Sequence, residues 1–305
     1  MTINVSRRGF LKATAAGTTA LLVGVNAKGV LAAGSTASAA TDLNPFVKID
    51  ADGTVTVIIK HFEMGQGTTT GLTTLVAEEL DADWDAVAID FAPANTERYK
   101  NLFFGAQGTG GSTSIANSFM QYREAGAAAR DLLVRAAAQK WGVDASSISV
   151  ENGMLTSGGN SAHFGEFVAI AATLEAIEKP TVKTPDQFKL IGSEKLHRKD
   201  NTGKTNGTAM FAMDVNLPGM IYAAIMRSPK FGGTIVSFDD SGAKDVGGFI
   251  AAQVLPNKAG VVAFGKNTWA AFQARDALSV EWDFSAAETR STDAMMADHK
   301  AMLET

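Results

Sequence analysis

The sequence predicts an α+β fold in two parts, and three observations carry that prediction. Short strands pair across turn residues in the first part. Two glycine-rich loops each run straight into a helical stretch. Beyond Lys179-Pro180 the composition turns strand-rich. Residues 46–49 and 55–59 flank Asp50-Ala51-Asp52-Gly53 and read as a β-hairpin. Glu63-Met64-Gly65-Gln66-Gly67 then leads into 68–80, where Leu72, Leu75, Val76 and Leu80 share one helical face. Residues 86–92 alternate as a strand. A second glycine-rich loop, 105–114, precedes a long helix over 115–141. Residues 148–150 and 154–156 form another hairpin across Asn152-Gly153, and a short helix covers 164–174. Residues 179–185 read as a linker, which puts the boundary near 186. After it come strands over 209–215, 220–227, 235–239, 251–255 and 261–264, a helix over 268–276 and a strand over 278–282.

Charge and composition narrow the function. The 305-residue chain has a net charge of −5 and no basic stripe, so nothing neutralises a phosphate backbone and no nucleic acid is expected. It has no cysteine, so an iron–sulfur cluster, a thiolate zinc site or a disulfide cannot be held by this chain alone. At the N-terminus, Ser6-Arg7-Arg8-Gly9-Phe10-Leu11-Lys12 is a twin-arginine signature, followed by an apolar stretch over 13–25 and by Ala37-Ser38-Ala39, an A-x-A cleavage pattern. Residues 1–40 are therefore read as a twin-arginine signal peptide, set outside the fold, with the periplasm as destination.

The two loops are where chemistry is expected. In Glu63-Met64-Gly65-Gln66-Gly67, two glycines bracket a glutamine at a strand-to-helix turn. Such glycines let the backbone approach a ligand, and the glutamine can donate or accept a hydrogen bond without adding charge. The alternative is a tight turn with a surface glutamine. Gly105-Ala106-Gln107-Gly108-Thr109-Gly110-Gly111-Ser112-Thr113-Ser114 also ends where a helix begins, and its amides and hydroxyls suit an anion such as phosphate or pyrophosphate. The alternative there is a flexible loop closed by a Ser/Thr cap. No P-loop lysine and no G-x-G-x-x-G spacing is present.

With these loops the chain resembles the molybdopterin-binding large subunit of the xanthine dehydrogenase and aldehyde oxidase family, in its isoquinoline 1-oxidoreductase beta-subunit branch. The residues that carry the resemblance are Glu63 to Gly67 with Val76-Ala77-Glu78-Glu79-Leu80, and Thr109-Gly110-Gly111-Ser112-Thr113-Ser114 before a long helix. Residues 189–285 add Thr202-Gly203-Lys204, Asp214, Leu217-Pro218-Gly219-Met220-Ile221-Tyr222-Ala223, Arg227-Ser228-Pro229 and Thr268-Trp269-Ala270-Ala271. The resemblance implies a mixed α/β cofactor-binding domain over 41–185, an a/b hammerhead domain over 186–285 and the start of a further domain over 286–305. It implies molybdenum on molybdopterin, in the cytosine dinucleotide form, with Gln66 beside the metal as the catalytic contact. Gly65 and Gly67 would approach the cofactor, and Gly110, Gly111, Ser112, Thr113 and Ser114 would hold its phosphates. The implied reaction hydroxylates an aldehyde or a nitrogen heterocycle with water as oxygen donor. Electrons would pass to a small 2Fe–2S subunit, which must be separate because this chain lacks cysteine, and on to an acceptor such as a cytochrome.

The chain departs from the family in length, and no later glutamate sits in the glycine-rich setting of the catalytic one. It is therefore expected to be a front portion without that glutamate. Two other readings stay open: an exported, cofactor-free binding protein, and an inactive fragment. Phe231-Gly232-Gly233 reads as a strand-linking turn, Glu63 as a capping or solvated residue, and Trp84, Trp141, Trp269 and Trp282 as core. His61, His163, His197 and His299 are scattered, so no protein metal ligands are expected, and no G-x-S-x-G elbow is present.

Overall fold

A computed structural model describes residues 20–25, 31–35 and 44–304. The twin-arginine motif and Ala37-Ser38-Ala39 lie outside the described residues. The chain divides into two compact units, the first running to Ala209 and the second from Met210. The division falls later than the shift in composition near 186.

In the first unit, β1 (Leu21–Val25), β2 (Leu31–Ser35), β3 (Asn44–Ile49), β4 (Val55–Ile59) and β5 (Ala88–Phe91) form one sheet in the order β2-β1-β3-β4-β5. Only the β4–β5 pair is parallel. Its crossover is helix α1 (Thr68–Leu80), as a parallel pair requires. β1 and β2 fall within residues set outside the fold in the sequence reading. Leu21 and Val23 of β1 lie opposite Ile49 and Val47 of β3, and both side chains are fully buried. The alternation Leu21-x-Val23 suits a strand with one buried face, so this apolar stretch docks on the open side of β3.

Helix α2 (Thr113–Trp141) buries an alanine-rich face with Tyr122, Leu132 and Leu133 against the sheet and α1. The two helices run side by side in the same direction. A Cβ on Gly71, in the first turn of α1, would lie 2.9 Å from Cδ1 of Ile115 in the first turn of α2. Further along, a Cβ on Gly126 of α2 would lie 2.8 Å from the carbonyl oxygen of Val76 in α1. β6 (Ser149–Glu151), β7 (Met154–Ser157) and β8 (Asn160–His163) form a small antiparallel sheet. The third strand follows Gly158-Gly159 and is mostly polar, so no apolar alternation marks it in the sequence.

Residues 179–185 are not a free linker. The Lys183 ammonium contacts Glu78 Oε1 at 2.9 Å and Asp81 Oδ1 at 2.8 Å, and its N–H donates to Glu79 Oε2 at 2.9 Å. Arg123 completes the cluster, donating from Nε to Glu79 Oε1 at 2.7 Å and from its guanidinium to the Lys183 carbonyl. Glu78 and Glu79 are buried at 1% and 0% exposure, so both carboxylates depend on these partners.

In the second unit, β9 (Tyr222–Arg227), β11 (Phe249–Val254) and β12 (Gly260–Gly265) form an antiparallel sheet in the order β11-β12-β9. β10 (Thr234–Asp239) pairs with β13 (Ser279–Asp283). Helix α3 (Thr268–Asp276), capped by Asn267, buries Ala270, Ala271 and Ala274, and Ala274 joins a core with Ile235, Val261, Ala263 and Leu278. The strand expected over 209–215 is absent: Ala212–Asp214 is a 3-10 turn with Met213 exposed. Phe231-Gly232-Gly233 lies in the connection from β9 to β10, closed by Gly233 N–H donating to the Lys230 carbonyl. The final helix α4 (Thr292–Leu303) buries no residue.

Candidate functional site: two parallel helix heads

β4 delivers the chain to both loops. Its end is held by Tyr122 of α2, whose hydroxyl donates to the Ile58 carbonyl at 2.7 Å and accepts from the Lys60 N–H at 3.1 Å. Tyr122 is fully buried, and burial first of all pushes its hydroxyl pKa up. Replacing Tyr122 with phenylalanine leaves one carbonyl and one N–H unpaired in the interior, at an expected cost of about 1–3 kcal/mol. A urea midpoint unchanged from wild type would show that the hydroxyl contributes nothing.

His61 follows, 1% exposed, and its ring links the two loops. Nδ1 lies 3.2 Å from the Gly108 carbonyl, while Nε2 lies 3.1 Å from Ser118 Oγ and 3.3 Å from Asn117 Nδ2. A carbonyl can only accept, which assigns the proton to Nδ1 and leaves Nε2 as acceptor. Burial, then the nearby Lys60 charge, lowers the His61 pKa to about 4, so the ring is neutral at physiological pH. The next residue, Phe62, donates its N–H to Thr109 Oγ1 at 2.9 Å, so the loops are bonded side by side.

Within the first loop, Gly65 and Gly67 have φ of 104° and 90°, which a side chain would strain. Gln66 is exposed, and its amide turns onto its own loop. Oε1 accepts from the Met64 N–H at 2.6 Å, and Nε2 donates to the Phe62 carbonyl at 2.6 Å. An amide nitrogen carries two hydrogens, so one remains for a ligand. The capping reading of Glu63 is the one observed. Its carboxylate accepts from the N–H groups of Gly65 (2.8 Å), Gly67 (3.0 Å) and Thr69 (3.0 Å) at the head of α1. Burial works to raise its pKa, but these donors and the Thr69 hydroxyl hold it below the usual range. Arg198 latches the loop from outside, donating to the Gly65 carbonyl at 2.8 Å and contacting Glu63 at 3.2 Å.

The head of α2 is built differently. Gly111 and Ser112 both adopt left-handed conformations, with φ of 58° and 55°, and the Ser112 side chain caps nothing. The first turn contains no acid. Gly110, Gly111 and Ser112 are exposed, whereas Ser114 is buried. The Thr113 hydroxyl is committed internally: it donates to the Gly110 carbonyl at 2.8 Å and accepts from Asn101 Nδ2 at 2.7 Å. So the structure brings Gln66 and the Gly110–Ser112 segment to neighbouring loops, with Thr113 and Ser114 supporting from beneath. Around them Phe62, Met64, Leu102, Phe103 and Phe104 expose apolar surface, which the sequence reading did not single out.

Two parallel helices placed head to head bring two partial positive charges together. The α1 head is neutralised by Glu63; the α2 head has no such carboxylate. These heads define an α+β domain suited to a large ligand with an anionic end. The chain belongs to the molybdopterin cofactor-binding domain family, whose model matches residues 9–217. It is 34% identical over 322 residues to the isoquinoline 1-oxidoreductase subunit beta of Brevundimonas diminuta, covering 92% of this chain and 40% of that protein. It is 33% identical to the membrane-bound aldehyde dehydrogenase [pyrroloquinoline-quinone] of Gluconacetobacter polyoxogenes, covering 77% of this chain and 31% of the relative. The chain thus spans less than half the length of these curated relatives. Among solved structures, quinoline 2-oxidoreductase from Pseudomonas putida 86 aligns at 24% identity and a TM-score of 0.34, covering 56% of this chain and 23% of the other.

The residues at the helix heads fit such a cofactor. Thr68 Oγ1, at the start of α1, is buried with no hydrogen-bond partner. A Cβ on Gly65, Gly67 or Gly110 would meet nothing within 4 Å. The site therefore offers an unused polar atom and open space over both loops. Among the described residues, no group of three His, Cys, Asp or Glu could hold a metal ion.

Proposed function

We propose that this chain is the front portion of a molybdenum hydroxylase large subunit that grips the cofactor across the two helix heads. The observation that carries this reading is the asymmetry of the heads: Glu63 already neutralises the first, and the second is open and free of acids. The phosphate-bearing tail, in the cytosine dinucleotide form, lies on Gly110, Gly111 and Ser112, and Thr113 and Ser114 hold that turn in shape. Gln66 turns its remaining amide hydrogen toward the metal end, while Gly65 and Gly67 keep the backbone free of side chains there. When bound, the cofactor supplies two-electron oxidation of an electron-poor carbon with water as oxygen source. The names of the relatives favour an aldehyde or a nitrogen heteroaromatic substrate.

Electrons leave to a 2Fe–2S cluster on a separate subunit, since this portion has no cysteine to ligate one, and then to an acceptor such as a cytochrome. The catalytic glutamate belongs to sequence beyond this portion. Residues 186–285 serve as the a/b hammerhead domain, mainly structural, and the leader sends the protein to the periplasm. The name of the aldehyde dehydrogenase relative carries a quinone instead, which sets the test.

Elemental analysis and acid hydrolysis of the complete enzyme should give close to one molybdenum and one cytidine monophosphate per subunit. Ser112→Glu puts a carboxylate where the phosphates lie and should lower both by about ten-fold. A redox-active quinone with no molybdenum, or a Ser112→Glu enzyme with full cofactor content, refutes the assignment.

A further inference from the structure

Beneath the second loop lies a cation with no counter-ion among the described residues. Lys60 is 4% exposed, and its ammonium lies 2.7 Å from Gln121 Oε1, 3.3 Å from Asn117 Oδ1 and 3.3 Å from the Lys100 carbonyl. All three oxygens are neutral. Buried charges are ordinarily paired with an opposite one, because neutral dipoles do not repay the lost hydration. The titratable groups beside Lys60 are His61, the next residue, whose pKa the Lys60 charge lowers, and Tyr122 of α2, whose hydroxyl accepts from the Lys60 backbone N–H. Arg123, on another face of α2, is committed to Glu79. Two of the three contacts lie at the stems of the loop, and Gln121 is one turn further along α2. Lys100 is the last residue before the loop that begins at Asn101, and Asn117 opens the second turn of the helix after it, binding the Thr113 carbonyl. The ammonium thus joins both stems of the loop whose Gly110–Ser112 segment forms the α2 head.

We propose that Lys60 is the buried counter-charge of this oxyanion site, so that an oxyanion and a proton at Lys60 are taken up together. This inference rests on the oxyanion reading of the loop given above. Burial lowers Lys60 to about 8, so in the free site the ammonium gives up its proton in the mildly alkaline range. A doubly negative group at the head of α2 favours the ammonium and raises that value. By reciprocity, protonation of Lys60 tightens the anion. A lysine serving only to brace the stems would show no such coupling.

Sulfate is a suitable probe because it stays fully ionised across the range. The purified full chain is titrated by calorimetry in two buffers of different ionisation enthalpy. At about pH 8, half-protonated Lys60 should take up about half a proton per sulfate bound. At about pH 6.5 the uptake should vanish, because Lys60 is already charged and His61, at about 4, stays neutral. Lys60→Arg should bind sulfate at either pH without uptake, since its charge is permanent. Lys60→Met should bind about ten-fold more weakly at pH 6.5, also without uptake. Should the methionine variant fail to fold, the wild type and Lys60→Arg still decide. Sulfate bound at pH 8 with no proton uptake, or equal uptake by Lys60→Arg, overturns the role of Lys60 alone. No sulfate binding by the wild type overturns the oxyanion reading of the loop itself.

Discussion

Replacing Glu78 with alanine is expected to cost the first unit about 3–5 kcal/mol, the range for removing one partner of a buried ion pair. One oxygen of this carboxylate meets Lys183 Nζ at 2.9 Å. The other accepts from three successive N–H groups, those of Lys189 (2.9 Å), Leu190 (2.6 Å) and Ile191 (3.0 Å). Alanine leaves three amides without their acceptor and takes from the buried Lys183 ammonium one of its two carboxylates, leaving it Asp81. Urea unfolding should show the loss, and amide exchange at 189–191 should accelerate before the rest of the unit opens. A shift below about 1 kcal/mol would mean that the cluster merely breaks even against solvent.

The pH dependence follows from the same contacts. Burial acts to raise the Glu78 pKa, but Lys183 and the amides outweigh it and leave the value below 4.5. A folded value below the unfolded one means that the contribution is complete above about pH 4.5 and is lost as pH falls through the folded value. Asp200, held at about 2 chiefly by Arg198, acts in the same direction, so the first unit should lose stability steadily on acidification. Glu78→Ala should flatten that slope.

Glu78 also shows where the sequence stopped being informative. Val76-Ala77-Glu78-Glu79-Leu80 marks a helix in the sequence, but nothing local gives its adjacent acids a partner. Their partners are Arg123 and Lys183, far along the chain, and only the tertiary fold brings them in. The same holds for Lys60, which follows an apolar strand and whose partners, Lys100, Asn117 and Gln121, are far along the chain. Helices α1 and α2 were legible because their apolar spacing and glycine-bounded starts are local signals. The two loops were legible for the same reason. What could not be read was which loop residues face outward: Thr113 carries the right hydroxyl, yet Asn101 and Gly110 occupy it. The position of the apolar stretch 21–25 beside β3 was illegible for a related cause. The stretch resembles any export signal, while the vacancy beside β3 that accepts Leu21 and Val23 is a property of the assembled sheet.

Gly126 is expected to be the most sensitive glycine for the site, although no ligand touches it. Alanine normally favours an α-helix over glycine by about 1 kcal/mol. Here the added Cβ would lie 2.8 Å from the Val76 carbonyl oxygen, 3.0 Å from Glu79 Cβ and 3.1 Å from Val76 Cα. Backbone atoms of a neighbouring helix cannot swing aside as a side chain can, so α1 and α2 must separate. Gly126→Ala should therefore destabilise despite its helix propensity, and Gly126→Val should cost about 3 kcal/mol, the upper range for overpacking. Gly159→Ala, whose Cβ would meet nothing within 4 Å, is the matched control and should be neutral. Separation has a second consequence. The head of α1 touches that of α2 through Gly71 and Ile115, so spreading the pair moves the two loops apart. Sulfate affinity at the α2 head should fall in Gly126→Val even at temperatures where the variant is fully folded. A Gly126→Val protein that loses stability yet binds sulfate as tightly as wild type would show that the second loop holds its anion without help from the first.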